Sequence, residues 1–215
     1  MTTFDTLSET EIISRVLGGE VSLYEIIVRR FNPYLYRVGR SYNFSHDDTE
    51  DLMQDTFVQA YKNLKNFEGR AQFKTWLIRI MLNNCYHRKE KLSYKNEIYS
   101  DPNETARPMF SSSDNQTDKI VQQRELRNII EEALSSIPFD YRIVFSLREI
   151  NGLKVAETAE MLNMSESNVK ARLSRAKAML RKQIEKSYDP GELYEFNLIY
   201  CDRIVENVMN RIKRL

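Results

Sequence analysis

Apolar residues recur along this chain at intervals of three and four, the spacing that lays them on one face of a helix. Tyr24, Ile27, Val28, Phe31 and Leu35 form one such stripe, and Met53, Phe57, Ala60 and Leu64 form another. Helix starts are expected near Thr10, Ser22, Ser45 and Gln72. At Ser45-His46-Asp47-Asp48 a capping serine precedes acidic residues that complement the positive helix end. Strand-like alternation is hard to find, and Gly and Pro number only 6 and 5. The expected fold class is all-α.

The periodicity fails between Leu92 and Asp118, where Asp101-Pro102-Asn103, Pro108 and Ser111-Ser112-Ser113-Asp114-Asn115 carry few large apolar groups. Such a stretch cannot offset its ordering entropy by burial and is expected to be a flexible linker. The resulting division is a first domain over 8–91, a linker over 92–118, a second domain over 119–187 and an extension over 188–215. In the second domain Pro138 marks a helix start. The extension keeps Cys201, Ile204, Val205, Val208, Ile212 and Leu215 at helical spacing, so a short helical tail is expected.

The most structured pattern runs from Val155 to Ile184. Val155-Ala156-Glu157-Thr158-Ala159-Glu160-Met161-Leu162 keeps helical spacing. Asn163 follows where a tight turn needs a residue tolerant of positive φ, and Ser165 is placed to cap the next helix. On that next helix Val169, Leu173, Ala176, Leu180 and Ile184 share a face. Lys170, Ala171, Ser174, Arg175, Arg181 and Lys182 fall opposite. One packing face and one basic face with short polar side chains are the arrangement of a recognition helix in a DNA major groove.

Net charge, +1 over 215 residues, does not by itself suggest a polyanion partner. Its distribution does. Lys170 to Lys186 holds seven basic residues and one acidic one, whereas Phe44 to Gln59 holds five acidic residues and no Lys or Arg. Asp48, Asp51 and Asp55 share one side of the helix expected there. A solvated outer face is the ordinary explanation of such a stripe, and a basic partner surface is the alternative. From Tyr61 to Lys95 the sign inverts, with nine basic residues against two acidic ones, interleaved with Phe67, Phe73, Trp76, Tyr86 and Tyr94. Basic groups tracking phosphates and aromatics stacking on bases suit single-stranded nucleic acid. Core packing explains Phe67 and Leu77 better, and the two explanations balance for Phe73 and Trp76.

Other chemistries find little support. Cys85 and Cys201 are far apart and form no CxxC pattern, and His46 and His87 are isolated, so no metal site and no cofactor is expected. No Ser/His/Asp or Cys/His grouping and no phosphate-binding Gly loop is present, so no catalytic residue is expected. No apolar run approaches a membrane span and no signal-peptide pattern opens the chain. A cytoplasmic protein without membrane insertion is the expectation.

Read together, the segments resemble an extracytoplasmic-function (ECF) sigma factor, the small two-domain class of bacterial transcription initiation factor. The likeness covers about Ile12 to Lys186. It is strongest in Asp48-Thr49-Glu50-Asp51-Leu52-Met53-Gln54-Asp55-Thr56-Phe57-Val58-Gln59-Ala60-Tyr61, in Phe67-Glu68-Gly69-Arg70, in Phe73-Lys74-Thr75-Trp76-Leu77-Ile78-Arg79-Ile80 with Asn83, and in the helix-turn-helix. The resemblance implies that Asp48, Glu50, Asp51, Gln54 and Asp55, with Leu52 as apolar anchor, bind the clamp helices of core RNA polymerase. It implies that Arg70, Phe73, Lys74, Trp76, Arg79 and Asn83 take and open the −10 element, captured as single strand. Leu77 stands where housekeeping sigma factors carry a second Trp, which implies weaker melting and closer promoter matching.

By the same resemblance the second domain reads the −35 duplex. Ser167, Asn168, Lys170, Ala171, Ser174 and Arg175 reach toward bases or phosphates from the helix start and outward face. Arg172, Lys177, Arg181 and Lys182 hold phosphates. An anti-sigma factor is a further possible partner. Two other readings stay open at this stage: a conventional helix-turn-helix regulator that does not bind core polymerase, and a helical scaffold whose basic face is incidental.

Overall fold

The computed structural model describes residues 7–98, 128–187 and 209. These are arranged as two helical domains, and no strand occurs among the described residues. Of the expected linker and extension, 99–118, 188–208 and 210–215 lie outside them.

The first domain contains α1 (Glu9–Leu17), α2 (Tyr24–Ser41), α3 (His46–Lys62) and α4 (Phe73–Ile98), with single 3-10 turns at Val21–Leu23 and Leu64–Asn66. Each expected start lies within a residue or two of an observed one. The side chain of Ser8 accepts from Glu11 N at 3.2 Å, capping α1. Ser45 accepts from Asp48 N at 3.1 Å, capping α3. Helix α4 continues to Ile98, past the boundary expected at Lys91, because no Gly or Pro interrupts the chain before Pro102.

Ile12, Ile27, Phe31, Leu35, Val38, Leu52, Phe57, Phe73, Leu77, Ile78 and Met81 fill the centre of this bundle. Each such side chain contributes about 1.5–3 kcal/mol by leaving water. The helices come closest at Gly39 of α2, where a Cβ would stand 2.5 Å from Thr49 Cγ2 and 3.1 Å from Met81 Cε. The hydroxyls at this crossing are satisfied locally. Thr49 Oγ1 donates to Ser45 O at 2.7 Å, and Thr56 Oγ1 donates to Leu52 O at 2.6 Å.

The second domain begins in the described residues with a helix over 128–136 (α5). It continues through α6 (Phe139–Phe145), a single π-turn at Ser146–Ile150, α7 (Val155–Met161) and α8 (Glu166–Ser187). Asn163 has φ +49 and Ser165 Oγ accepts from Asn168 N at 3.2 Å, so turn and cap form as the spacing requires. Val169 and Ala176 are fully buried, placing the apolar stripe of α8 against α6 and α7. The π-turn has no sequence signal. Its wide backbone bond, Asn151 N to Ser146 O at 2.9 Å, leads into Gly152 at φ +69, where a side chain would be strained.

The two domains pack together, and their buried residues join in one apolar cluster. Phe139 of α6 rests on Tyr42 at the end of α2, ring centroids 4.8 Å apart. Arg142, 8% exposed, donates Nε to Ser41 O at 2.7 Å across the seam and Nη1 to Ser135 O and Ile137 O at 2.7 and 2.8 Å. Desolvation pulls its pKa below the usual arginine value.

Candidate nucleic-acid interface

Helix α3 displays its acidic side on the surface. Glu50, Asp51, Gln54 and Asp55 are exposed, and beyond them Val58 and Tyr61 are 53% and 39% exposed. An apolar residue flanked by carboxylates on an open helix face is what a basic, partly apolar partner surface would meet. Two expected members of this face are engaged elsewhere. Leu52 is 5% exposed and packs inward. Asp48 pairs with Arg88 of α4 and accepts from Ser45 Oγ at 2.8 Å, and these bonds hold its carboxyl below the ordinary range. The family resemblance implies Leu52 as the apolar anchor and assigns no contact to Val58 or Tyr61. The i, i+4 relation of Gln54 and Val58 was the available signal.

Helix α4 sorts the expected aromatic and basic side chains by depth. Phe73 is 2% exposed, edge-on to Phe67 at 5.1 Å and 5.4 Å from Phe31. Burial therefore decides the balanced case of Phe73: it is a core residue. Trp76 is half-buried, its ring 5.3 Å from both Phe67 and Phe73. Two aromatic rings thus pack against the indole, which keeps partial access to solvent. Arg79 and Asn83 follow on the exposed side at helical spacing. Arg70, on the loop before α4, pairs with Glu68 at the surface. Gly69 has φ +70, so that loop needs glycine to turn.

In the second domain Ser167, Asn168, Lys170, Ala171, Ser174, Arg175, Arg181 and Lys182 are all exposed on α8. Two other cations of that helix are paired within the domain. Arg172 lies 3.4 Å from Asp140, with Nε donating to Asn168 Oδ1 at 3.2 Å, and Lys177 lies 3.1 Å from Glu149. These pairs tie α8 to α6 and the π-turn. Among the described residues no cluster of His, Cys, Asp and Glu could hold a metal ion, and no helix is long and apolar enough to cross a membrane.

An acidic helix, an aromatic-basic helix and a helix-turn-helix, in this order across two helical domains, define a transcription initiation factor of the sigma type. Comparison with known proteins agrees. The family model for sigma-70 region 2 matches residues 27–93, and that for sigma-70 region 4 matches residues 127–180. The ECF RNA polymerase sigma-E factor of Haemophilus influenzae is 25% identical over 185 residues, covering 84% of this chain and 97% of that one. The sigma-E factor of Escherichia coli K12 is 26% identical over 187 residues, covering 84% and 96%.

Among solved structures, the sigma factor RpoE of Bartonella quintana, in complex with the anti-sigma factor NepR, shares the fold with a TM-score of 0.63. It is 22% identical, and the match covers 75% of this chain and 96% of that one. CnrH, in complex with the cytosolic domain of CnrY, shares the fold with a TM-score of 0.56 at 23% identity, covering 82% and 97%. This chain belongs to the ECF group of sigma-70 family RNA polymerase sigma factors. It is a transcription initiation factor that binds core RNA polymerase and promoter DNA and directs promoter-specific transcription. The reading as a conventional regulator is not favoured.

Proposed function

We propose a division of labour among the residues just described. The first domain, 8–91 with α4 prolonged beyond it, grips the polymerase and captures the −10 strand; the second, 119–187, reads the −35 duplex. On α3 the polymerase contact is made by Glu50, Asp51, Gln54 and Asp55 around the apolar pair Val58 and Tyr61. Leu52 sets the helix pose from the core. Asp48 acts at one remove, by clamping α3 to α4 through Arg88.

On α4, Trp76 stacks on an unpaired base, and Phe73 acts beneath it as a rigid backing. Lys74, Arg79 and Asn83 hold the strand, and Arg70 lines the loop for a flipped base. Unstacking a duplex costs a few kcal/mol per step, and stacking on an aromatic face returns about 1–3 kcal/mol per base. On α8, Lys170, Ala171, Ser174 and Arg175 face base edges. Ser167 and Asn168 present helix N-terminal amides to phosphate, and Arg181 and Lys182 hold the backbone. Arg172 and Lys177 act chiefly by fixing α8 to its own domain.

No bond chemistry is assigned to this chain: the polymerase supplies it, here in the cytoplasm. Since related folds occur in complexes with anti-sigma factors, such a regulator is proposed as a further partner. The observation that carries this reading is the opposite character of α3 and α4, one acidic with an apolar centre and one basic with a backed tryptophan. Run-off transcription on genomic DNA with core enzyme plus this protein tests it. Mapped start sites sharing −10 and −35 elements are expected, and initiation no more selective than with core alone refutes it.

A further inference from the structure

The outward strip of α4 that carries Trp76, Arg79 and Asn83 continues for two further turns. At about 100° per residue, Asn83, His87 and Glu90 fall within about 40° of Trp76 around the helix axis. Arg79 and Tyr86 lie along one edge of the strip and Lys91 along the other. Met81 and Cys85 stand on the opposite side and are fully buried. Asn83, Tyr86, His87, Glu90 and Lys91 are all exposed, Tyr86 by 56%.

Two side chains of this strip converge on one carboxylate. His87 Nδ1 stands 3.5 Å from Glu90 Oε2, and the same carboxylate pushes the Tyr86 phenol above its ordinary range. The Tyr86 and His87 rings meet edge-on, centroids 5.9 Å apart. Glu90 is thus held by two neighbours while its side chain stays 55% exposed. The adjacent cations are engaged elsewhere: Arg88 pairs with Asp48, and Lys89 Nζ lies 3.7 Å from the Phe139 ring centroid.

We propose that Glu90 reads a base of the duplex just upstream of the −10 element, accepting from a cytosine amino group in the major groove, with Tyr86 and His87 as positioning residues. This rests on the reading of α4 given above. Phosphates repel a carboxylate laid against DNA, so a donor on a base edge is the partner that makes its presence there favourable. Cytosine N4 is such a donor, and it marks that base in the major groove. Holding the carboxylate in place beforehand lowers the entropy lost on contact. Lys91, next along at the edge of the strip, is set to hold a phosphate. Seven helical residues from Asn83 to Glu90 span about 10 Å, so the base read lies within about three base pairs of the contact made by Asn83.

The test uses core polymerase with the full chain and a library of templates, each carrying a transcribed barcode. About four base pairs upstream of a mapped −10 element are randomised. Expected is about tenfold enrichment of cytosine at one position on one strand. Glu90→Ala should flatten that preference. Glu90→Gln should raise adenine there, because an amide offers adenine both a donor and an acceptor. Tyr86→Phe should weaken the cytosine enrichment severalfold while selection in a second library, randomised across the −10 element, stays unchanged; a merely loosened helix would disturb both. A flat wild-type library overturns the proposal, and so does a cytosine preference that survives Glu90→Ala. The reading of α4 has its own readout in promoter opening. If Trp76→Ala leaves opening intact, that reading fails, whereas Trp76-dependent opening beside a flat upstream library refutes only the role of Glu90.

Discussion

Gly39→Ala is the sharpest probe of how the first domain is held. In the interior of a helix this change ordinarily stabilises by about 0.5–1 kcal/mol, since alanine loses less backbone freedom on folding. Here the added Cβ would lie 2.5 Å from Thr49 Cγ2, 3.1 Å from Met81 Cε and 3.2 Å from Thr49 Oγ1. Thr49 is fully buried, β-branched and bonded to Ser45 O at 2.7 Å, so it cannot turn aside without losing that bond. Met81 is flexible and can give way. Overpacking of this kind costs about 1–3 kcal/mol, and a clash with a fixed methyl belongs at the upper end. Set against the propensity gain, the net expectation is a loss of about 1–2 kcal/mol.

Urea unfolding of the full chain, followed by helical circular dichroism, should show the midpoint falling by roughly 0.5–1 M at ordinary denaturant sensitivity. Thr49→Ser removes the clashing methyl and keeps the hydroxyl. Alone it should cost about 0.5–1.5 kcal/mol for the lost buried methyl. In the Gly39→Ala background it should cost much less, giving a coupling of about 1–2 kcal/mol. A Gly39→Ala chain at or above the wild-type midpoint, or a strictly additive double variant, would refute the reasoning.

Three further outcomes are expected. Asp48→Asn should lower stability at pH 7 by well under 1 kcal/mol, because the Asp48 and Arg88 side chains are 36% and 40% exposed. Since Arg88 and Ser45 depress the folded-state pKa, the wild-type advantage holds above the unfolded value, shrinks as pH falls past about 3.9 and is lost below the folded value. Unfolding curves across that range decide it, a pH-independent difference being the contrary result. Arg175→Ala should cost about 1–3 kcal/mol on a matched −35 duplex and little on a scrambled one, while Lys182→Ala weakens both alike. Equal losses in competition gel shifts would remove Arg175 from base contact. Trp76→Ala should leave polymerase binding intact and reduce open-complex formation, and undiminished permanganate reactivity of promoter thymines would contradict this.

Much of this protein follows from short-range pattern. Helices α1 to α4 and α6 to α8 begin where a serine, a proline or an apolar stripe marks them. The turn at Asn163 and the cap at Ser165 require only local steric and hydrogen-bonding rules. The acidic face of α3 and the basic face of α8 are likewise set by the 3.6-residue period alone, which assigns a side chain to a face whatever lies opposite. The family resemblance was carried by the same local runs.

What remained for tertiary structure was the fate of individual side chains on those faces. Nothing near Phe73 in sequence reveals that Phe31 and Phe67 enclose it, or that Arg88, forty positions away, takes up Asp48. Arg172 and Lys177 look like their free neighbours on α8 until Asp140 and Glu149 are brought beside them. Arg142, an arginine among Ile143 and Val144, disappears into the seam between domains. The seating of Glu157 and Glu160 on Thr75 and Arg79 joins residues about eighty positions apart. A helical period determines which way a residue faces, whereas its partner is selected only when distant segments are packed into the same space.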